Sequence, residues 1–244
     1  MGKKEKNNQN TEEKIQETEI ESVVENTEEE APVPMTKTQK LLSIFDKFGD
    51  LFILNLVFFV SCLPIITIGP AFIAMYTVTN KMVKNTEGPV FQEYKKAFKA
   101  NLKPGIAIWL VDIMYIVLMY LQYAYVLTHH DQIEKVLFIA VGFEFILFSL
   151  AFPLQFPLVA RYENTTFNMV RNSLVLAFAH PGVWFKMYFI WMFPVALYYL
   201  KPTWILYTWY LWIMILIAMF AYACSMFLEG FYVKIEAPRV KKRA

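Results

Sequence analysis

The chain has 244 residues, 57% apolar, 17% aromatic and 18% charged, with a formal net charge of +2. These values exclude a disordered, collagen-like or disulfide-stapled chain, and they leave too little polar surface for a water-soluble domain. The average hides a division, because residues 1 to 40 carry ten Glu against six Lys while the remainder is basic and strongly hydrophobic.

Met1 to about Thr36 is rich in Glu, Asn, Lys and Thr, lacks any aromatic residue and ends in Ala31-Pro32-Val33-Pro34. Such a segment cannot bury enough apolar surface to offset its ordering entropy, so residues 1–40 are expected to be a disordered acidic tail, a spacer or an interaction arm. It contains no apolar h-region, so no secretory signal peptide is expected and insertion would use an internal segment. The two cysteines, Cys62 and Cys224, fall inside apolar runs without metal-ligand spacing and read as small core residues.

Five apolar stretches follow, at about Leu51 to Ile73, Gly105 to Leu127, Val136 to Ala160, Trp184 to Leu200 and Thr203 to Leu228. Crossing ~30 Å of hydrocarbon takes ~20 helical residues. Only ten Asp, Glu, Lys or Arg residues lie between Pro104 and Leu228. Helices are therefore expected, since each satisfies its own backbone in lipid, and the short alternating segments of a membrane β-barrel are absent. The first run is the exception. Leu63-Pro64-Ile65-Ile66-Thr67-Ile68-Gly69-Pro70 places two prolines and a glycine at membrane depth, which predicts a break. Either the run descends partway and turns back, or it is one kinked crossing; in both cases it should pack centrally, because irregular backbone there must be sheltered.

Between the first and second runs lie Lys81, Lys84, Lys95, Lys96, Lys99 and Lys103; between the third and fourth lie Arg161, Arg171 and Lys186; Lys234, Arg239, Lys241, Lys242 and Arg243 follow the fifth. The other two connections hold only Lys135 and Lys201. Retention of cations in the cytoplasm then places the basic loops and the C-terminus inside. Phe91, Tyr94, Phe98 and Leu102 recur at the spacing of Phe167, Val170, Leu174 and Phe178, an apolar stripe expected on two interfacial amphipathic helices, ended by Pro104-Gly105 and Pro181-Gly182. Lys95, Lys96, Lys99 and Lys103 flank the first and are expected to face anionic lipid headgroups or a cytoplasmic partner.

Ionisable groups inside bilayer runs are costly and are candidate functional positions. Glu144 lies well inside the third run, as a proton or cation site or as hydrogen-bonding glue between helices; Asp112 is a possible neighbour, and Asn55 a candidate for an interhelical hydrogen bond. Arg161 and Glu163 flank Tyr162 after Pro153 and Pro157, prolines that should bend the helix near that end. His180 reads as a cap or loop residue, and His129-His130-Asp131 as an external turn or a weak metal or pH site. No GxxxxGK[ST], GxGxxG, HExxH or GxSxG occurs, so neither an enzyme nor a cofactor is expected, and the short basic C-terminus fits lipid better than nucleic acid.

Phe45-Asp46-Lys47-Phe48-Gly49-Asp50-Leu51, Asn55, Cys62 to Ala71, Tyr76-Thr77-Val78-Thr79 and Glu87-Gly88 closely resemble the opening of the YesL family, bacterial integral membrane proteins defined by a domain of unknown function. The resemblance runs from about Leu41 to Lys234 and is most specific over 45–104. It implies a multi-helix bundle and, by gene neighbourhood, association with carbohydrate ABC importers and their sensor kinases; the acidic N-terminal extension departs from the family. The expected architecture is an all-α polytopic transmembrane helix bundle over residues 41–234, with five hydrophobic segments, the first broken at Pro64 to Pro70, and a basic tail over 235–244. The expected function is a non-enzymatic accessory component of a carbohydrate uptake or sensing system in the cell membrane, contacting a permease or kinase. The alternative is a small-solute or ion carrier built on the broken segment and Glu144.

Overall fold

A computed structural model of the chain describes residues 37–128, 132–162 and 166–241. Two compact units, 1–46 and 47–244, divide the chain; of the first, residues 37–46 are described and are helical. The expected disorder of the acidic tail, Glu163, the His129-His130-Asp131 turn, and Lys242 and Arg243 lie outside the described residues. Among the described residues the structure is all helix: α1 (Lys37–Ser61), a 3-10 turn (Ile65–Thr67), α2 (Ile68–Lys84), α3 (Val90–Ala100), α4 (Leu102–Thr128), α5 (Gln132–Arg161), α6 (Thr166–Ala179), α7 (Pro181–Leu200), α8 (Thr203–Leu211), a π-helical turn (Trp212–Leu216) and α9 (Ile217–Lys241).

The first apolar run breaks where its prolines predict. Pro64 cannot donate to the ladder, so α1 stops at Ser61, and the chain turns into α2, whose third residue, Pro70, lies in the turn that needs no N–H partner. The two helices run back along each other, since Lys47 Nζ donates to Asn85 Oδ1 at 2.8 Å, at the opposite end from the break. Asn85 closes α2 in the left-handed conformation, φ 52°, one that asparagine tolerates well.

α2 is the hub of the bundle, packing against α3, α4, α5 and α9. Ten of its residues are buried, including Gly69, Ile73, Met75 and Tyr76. Phe72 gathers aromatic rings from three other helices, Phe58 at 4.9 Å, Phe156 at 5.5 Å and Trp191 at 5.8 Å between centroids.

α2 meets α4 through two glycines. A methyl group at Gly69 would strike the Gly105 carbonyl oxygen and stand 2.7 Å from Trp109 Cβ; one at Gly105 would stand 2.7 Å from Pro70 N. Without side chains the backbones come together closely enough for Trp109 Nε1 to donate to the Ile65 carbonyl at 2.7 Å. Because Trp109 follows Gly105 while Ile65 precedes Gly69, α4 runs antiparallel to α2 and continues past the break, so ~28 Å of α4 lies beyond the turn.

Among the described residues four helices are long and apolar enough to cross a membrane: Leu102–Thr128, Lys135–Arg161, Pro181–Leu200 and Leu206–Lys234. The broken first run is not among them. One sequence expectation is corrected. Pro104 and Gly105 do not end the first amphipathic helix; it ends at Ala100, and both residues sit in the first turns of α4, where a missing N–H costs nothing. The shared aromatic stripe is a packing face only in part: on α3 its Tyr94 is buried and Phe98 half-buried, while Phe91 is exposed. α3 buries Val90, Tyr94 and Ala97, and α6 buries Met169, Ser173 and Ala177 while Phe167 and Phe178 stay 76% and 67% exposed. On α6 the buried positions include the small residues Ser173 and Ala177, which allow close helix contact, and the large rings face outward where lipid can accept them.

The glycine contact is testable by substitution. Gly69→Ala and Gly105→Ala are each expected to destabilise the purified protein in detergent by ~1–3 kcal/mol through overpacking. Gly142→Ala, where nothing lies within 4 Å of the added methyl, is expected to leave the thermal midpoint unchanged or slightly raised.

Candidate functional site

The polar residues fall into three groups: the break, the interhelical seams and the basic end. In the break, Thr67 Oγ1 donates to the carbonyls of Ser61 (2.6 Å) and Pro64 (2.7 Å), while Trp109 takes Ile65. With those carbonyls occupied, the side chains of Leu63 and Ile65 point outward, 80% and 69% exposed. The turn can therefore face hydrocarbon without bare carbonyls at these positions. Of the expected hinge positions, Pro64 lies in this exposed turn and Gly69 and Pro70 in the buried contact with α4.

Asn55 is fully buried on α1. Its Nδ2 donates to the carbonyls of Trp212 (2.8 Å) and Ile213 (2.6 Å), and its Oδ1 accepts from Ala218 N–H at 2.8 Å. The π-helical turn between α8 and α9 widens the backbone ladder there, and Asn55 satisfies groups on both sides of it. Asn55 thus joins α1 to the π-helical turn and to α9.

Asp112 and Glu144 are not neighbours. Asp112 on α4 accepts from Gln155 Nε2 on α5, both side chains buried. Glu144 on α5 accepts from Gln122 Nε2 at 3.2 Å, and Tyr115 OH donates to its backbone carbonyl at 3.1 Å. Gln122 lies ten residues beyond Asp112, ~15 Å along α4. Each carboxyl thus sits at its own point in the same seam. Glu144 Oε2 and Gln122 Oε1 are buried with no hydrogen-bond partner among the described residues. Neither carboxyl lines the aromatic cavity of about 450 Å³ between α2, α5 and α7. In that cavity wall, Trp191 Nε1 donates to Tyr76 OH at 3.1 Å.

Pro153 and Pro157 both lie inside α5. Pro153 leaves the Ser149 carbonyl without its helical donor, and Trp184 Nε1 from α7 donates to it at 2.9 Å. His180 holds the N-cap position of α7 without a side-chain cap hydrogen bond, and its ring stands edge-on against Phe231 at 4.8 Å.

The basic end draws together cations remote in sequence. Arg161 is an ion-pair member and not only a surface anchor: it pairs with Glu229 of α9, which also lies 3.4 Å from Lys84, and its guanidinium sits 4.4 Å from the Tyr232 ring centroid. Lys81 pairs with Glu93 of α3. A cavity of about 410 Å³ opens between these elements, with Lys81, Glu93, Lys96 and Arg161 in its wall. Of the lysines expected on the flank of α3, Lys95, Lys96, Lys99 and Lys103 are all exposed and only Lys96 reaches the cavity.

Several of these partners escaped sequence reading. Gln122 and Gln155 carried a usable signal, as amides inside apolar runs; Glu229, just past the last run, carried none. Trp109 and Trp184 gave none, since nothing local marks an indole as the donor to a distant proline-freed carbonyl. Among the described residues no cluster of His, Cys, Asp and Glu has metal-binding geometry.

The fold defines an α-helical membrane protein whose polar interior groups join helices. Within that class, residues 51–123, about three-tenths of the chain, match a family described as a protein of unknown function, DUF624. The matched stretch covers the broken run, the glycine contact and most of α4, and agrees with the resemblance to the YesL family. No curated protein and no solved structure matches the chain.

Two outcomes follow from this geometry. Asn55→Ala removes the side-chain donor to two carbonyls and the acceptor of the Ala218 N–H and is expected to cost ~1–3 kcal/mol, read as a lowered thermal midpoint in detergent. The hydrogen bond from Lys81, together with the charges of Lys81 and Lys96, holds the Glu93 carboxyl below its ordinary value of 4.5. Its stabilising contribution is therefore complete above that pH and fades as the pH falls below it. Lys81→Met is expected to flatten this acid limb of the thermal-midpoint profile.

Proposed function

We propose that the protein is a non-enzymatic accessory component of a bacterial carbohydrate ABC uptake or sensing system, held in the cell membrane by four spans and a re-entrant hairpin of α1 and α2. The basic end is cytoplasmic in this reading, by the excess of lysine and arginine there. The hairpin enters from that side at Lys47, turns beside Trp109 partway along α4 and returns, and α9 brings the C-terminal segment back to the same side.

The observation that carries the accessory role is the use to which the intramembrane polar groups are put. Asp112 is bonded to Gln155 in a buried seam, and Asn55 to the backbone of another helix. A carrier needs such groups turned toward a wet path, whereas a scaffold uses them to lock helices together. The association with permeases and kinases comes from the family resemblance, and the exposed lysine flank of α3 is the surface offered to a cytoplasmic partner.

One observation favours the carrier as a second reading: the buried Glu144 Oε2 has no partner among the described residues, which leaves one carboxyl oxygen available to a proton or cation.

Crosslinking and co-purification from native membranes, across growth sugars, are expected to recover a permease subunit or sensor kinase; recovery of the protein alone would count against the accessory role. In liposomes, Glu144→Gln is expected to leave solute and proton flux at the wild-type level, and a several-fold loss of flux would instead support the carrier.

A further inference from the structure

The cavity at the basic end is built like a receptor for an anion. Its wall holds three cations, Lys81, Lys96 and Arg161, against one carboxylate, Glu93. Lys81 is already paired with Glu93, and Arg161 with Glu229, which Lys84 also approaches. Lys96 makes no hydrogen bond or ion pair of its own among the described residues; only its field reaches Glu93. The existing pairs thus leave the wall with an excess of positive charge.

The shape is set by small residues. Ala97 and Ala100 from α3 and Ala160 from α5 line the space between the charges, and their methyl groups are too short to fill it. The resulting volume of about 410 Å³ falls within the ~300–1,000 Å³ of small-molecule pockets and is too small for a folded partner. Cations gathered in a concavity focus their field on whatever enters it, more strongly than on an open face. A guanidinium and two ammonium groups around one space suit a phosphate, which offers several strong acceptor oxygens to separate donors.

We propose that this cavity binds a phosphate-bearing anion, with Lys96 as its principal uncompensated charge and Lys81 and Arg161 as flanking donors. The shared chemistry has two sources at this depth: the headgroup of an anionic phospholipid entering sideways from the bilayer, or a soluble phosphorylated small molecule entering from the aqueous end. The inference stands apart from the accessory role, since it depends only on the wall of one cavity.

The experiment uses full-length protein purified in a zwitterionic detergent. Binding of glycerol 3-phosphate is measured by titration calorimetry, and retained phosphatidylglycerol is counted by native mass spectrometry. Saturable binding of glycerol 3-phosphate assigns the site to a soluble ligand; retention of phosphatidylglycerol without such binding assigns it to a lipid. In either arm Lys96→Glu is expected to weaken binding or retention by about ten-fold or more, the loss of a charge-assisted contact. Lys99→Glu, an equal charge change on the same helix outside the cavity wall, should stay near wild type. Both lysines are exposed and the Lys96 charge is the smallest of the influences on Glu93, so each variant is expected to melt cooperatively within a few degrees of the wild type, and that melt verifies the fold. The proposal is overturned if neither probe binds the wild-type protein saturably, or if Lys99→Glu weakens binding as much as Lys96→Glu, which would mark a diffuse basic surface.

Discussion

The approach of two backbones at Gly69 and Gly105 is the contact on which the remaining architecture depends. A helix broken by prolines at membrane depth exposes carbonyls that lipid cannot satisfy. The glycines remove the side chains that would hold α4 away, and the resulting distance lets the Trp109 indole reach the Ile65 carbonyl. Thr67 closes two further carbonyls from within the turn. The break is thus a stable turn, and α2 becomes a short central helix around which the longer ones pack.

The same logic recurs elsewhere in the bundle. Pro153 leaves a carbonyl on α5, and Trp184 supplies the donor. The π-helical turn before α9 loosens the ladder, and Asn55 binds both of its sides. Each of these two irregularities is matched by a polar side chain from another helix. Thr79 and Ser225, both fully buried, add a hydroxyl pair between α2 and α9 at 2.8 Å. In a solvent as apolar as the helix surfaces there is little hydrophobic gain from association, so such bonds and close packing decide which helices meet.

Charge is sorted along the bundle axis. The spanning segments carry few ionisable groups, whereas at one end Lys81 pairs with Glu93, and Lys84 and Arg161 share Glu229. That end is where solvent or headgroups lower the cost of charge, and where a cavity with polar walls can form. The aromatic cavity farther along the bundle has the opposite character, lined by rings and apolar side chains.

The amino-acid sequence by itself determined the solvent, the helical class, the position of the break and the asymmetry of charge. Each follows from a local or one-dimensional property: hydropathy over a window, the missing N–H of Pro64, the count of lysine and arginine between runs. It also marked Asn55, Asp112 and Glu144 as polar groups in apolar surroundings. Only the tertiary structure decided their partners. Asp112 meets Gln155 across 43 positions, Arg161 meets Glu229 across 68 and Asn55 meets Ala218 across 163. Such pairings depend on the crossing and register of helices, set by where small residues allow backbones to touch. For the same reason the aromatic stripes of α3 and α6, plausible as packing faces in one dimension, are only partly buried, since burial belongs to the face that a neighbour can approach most closely.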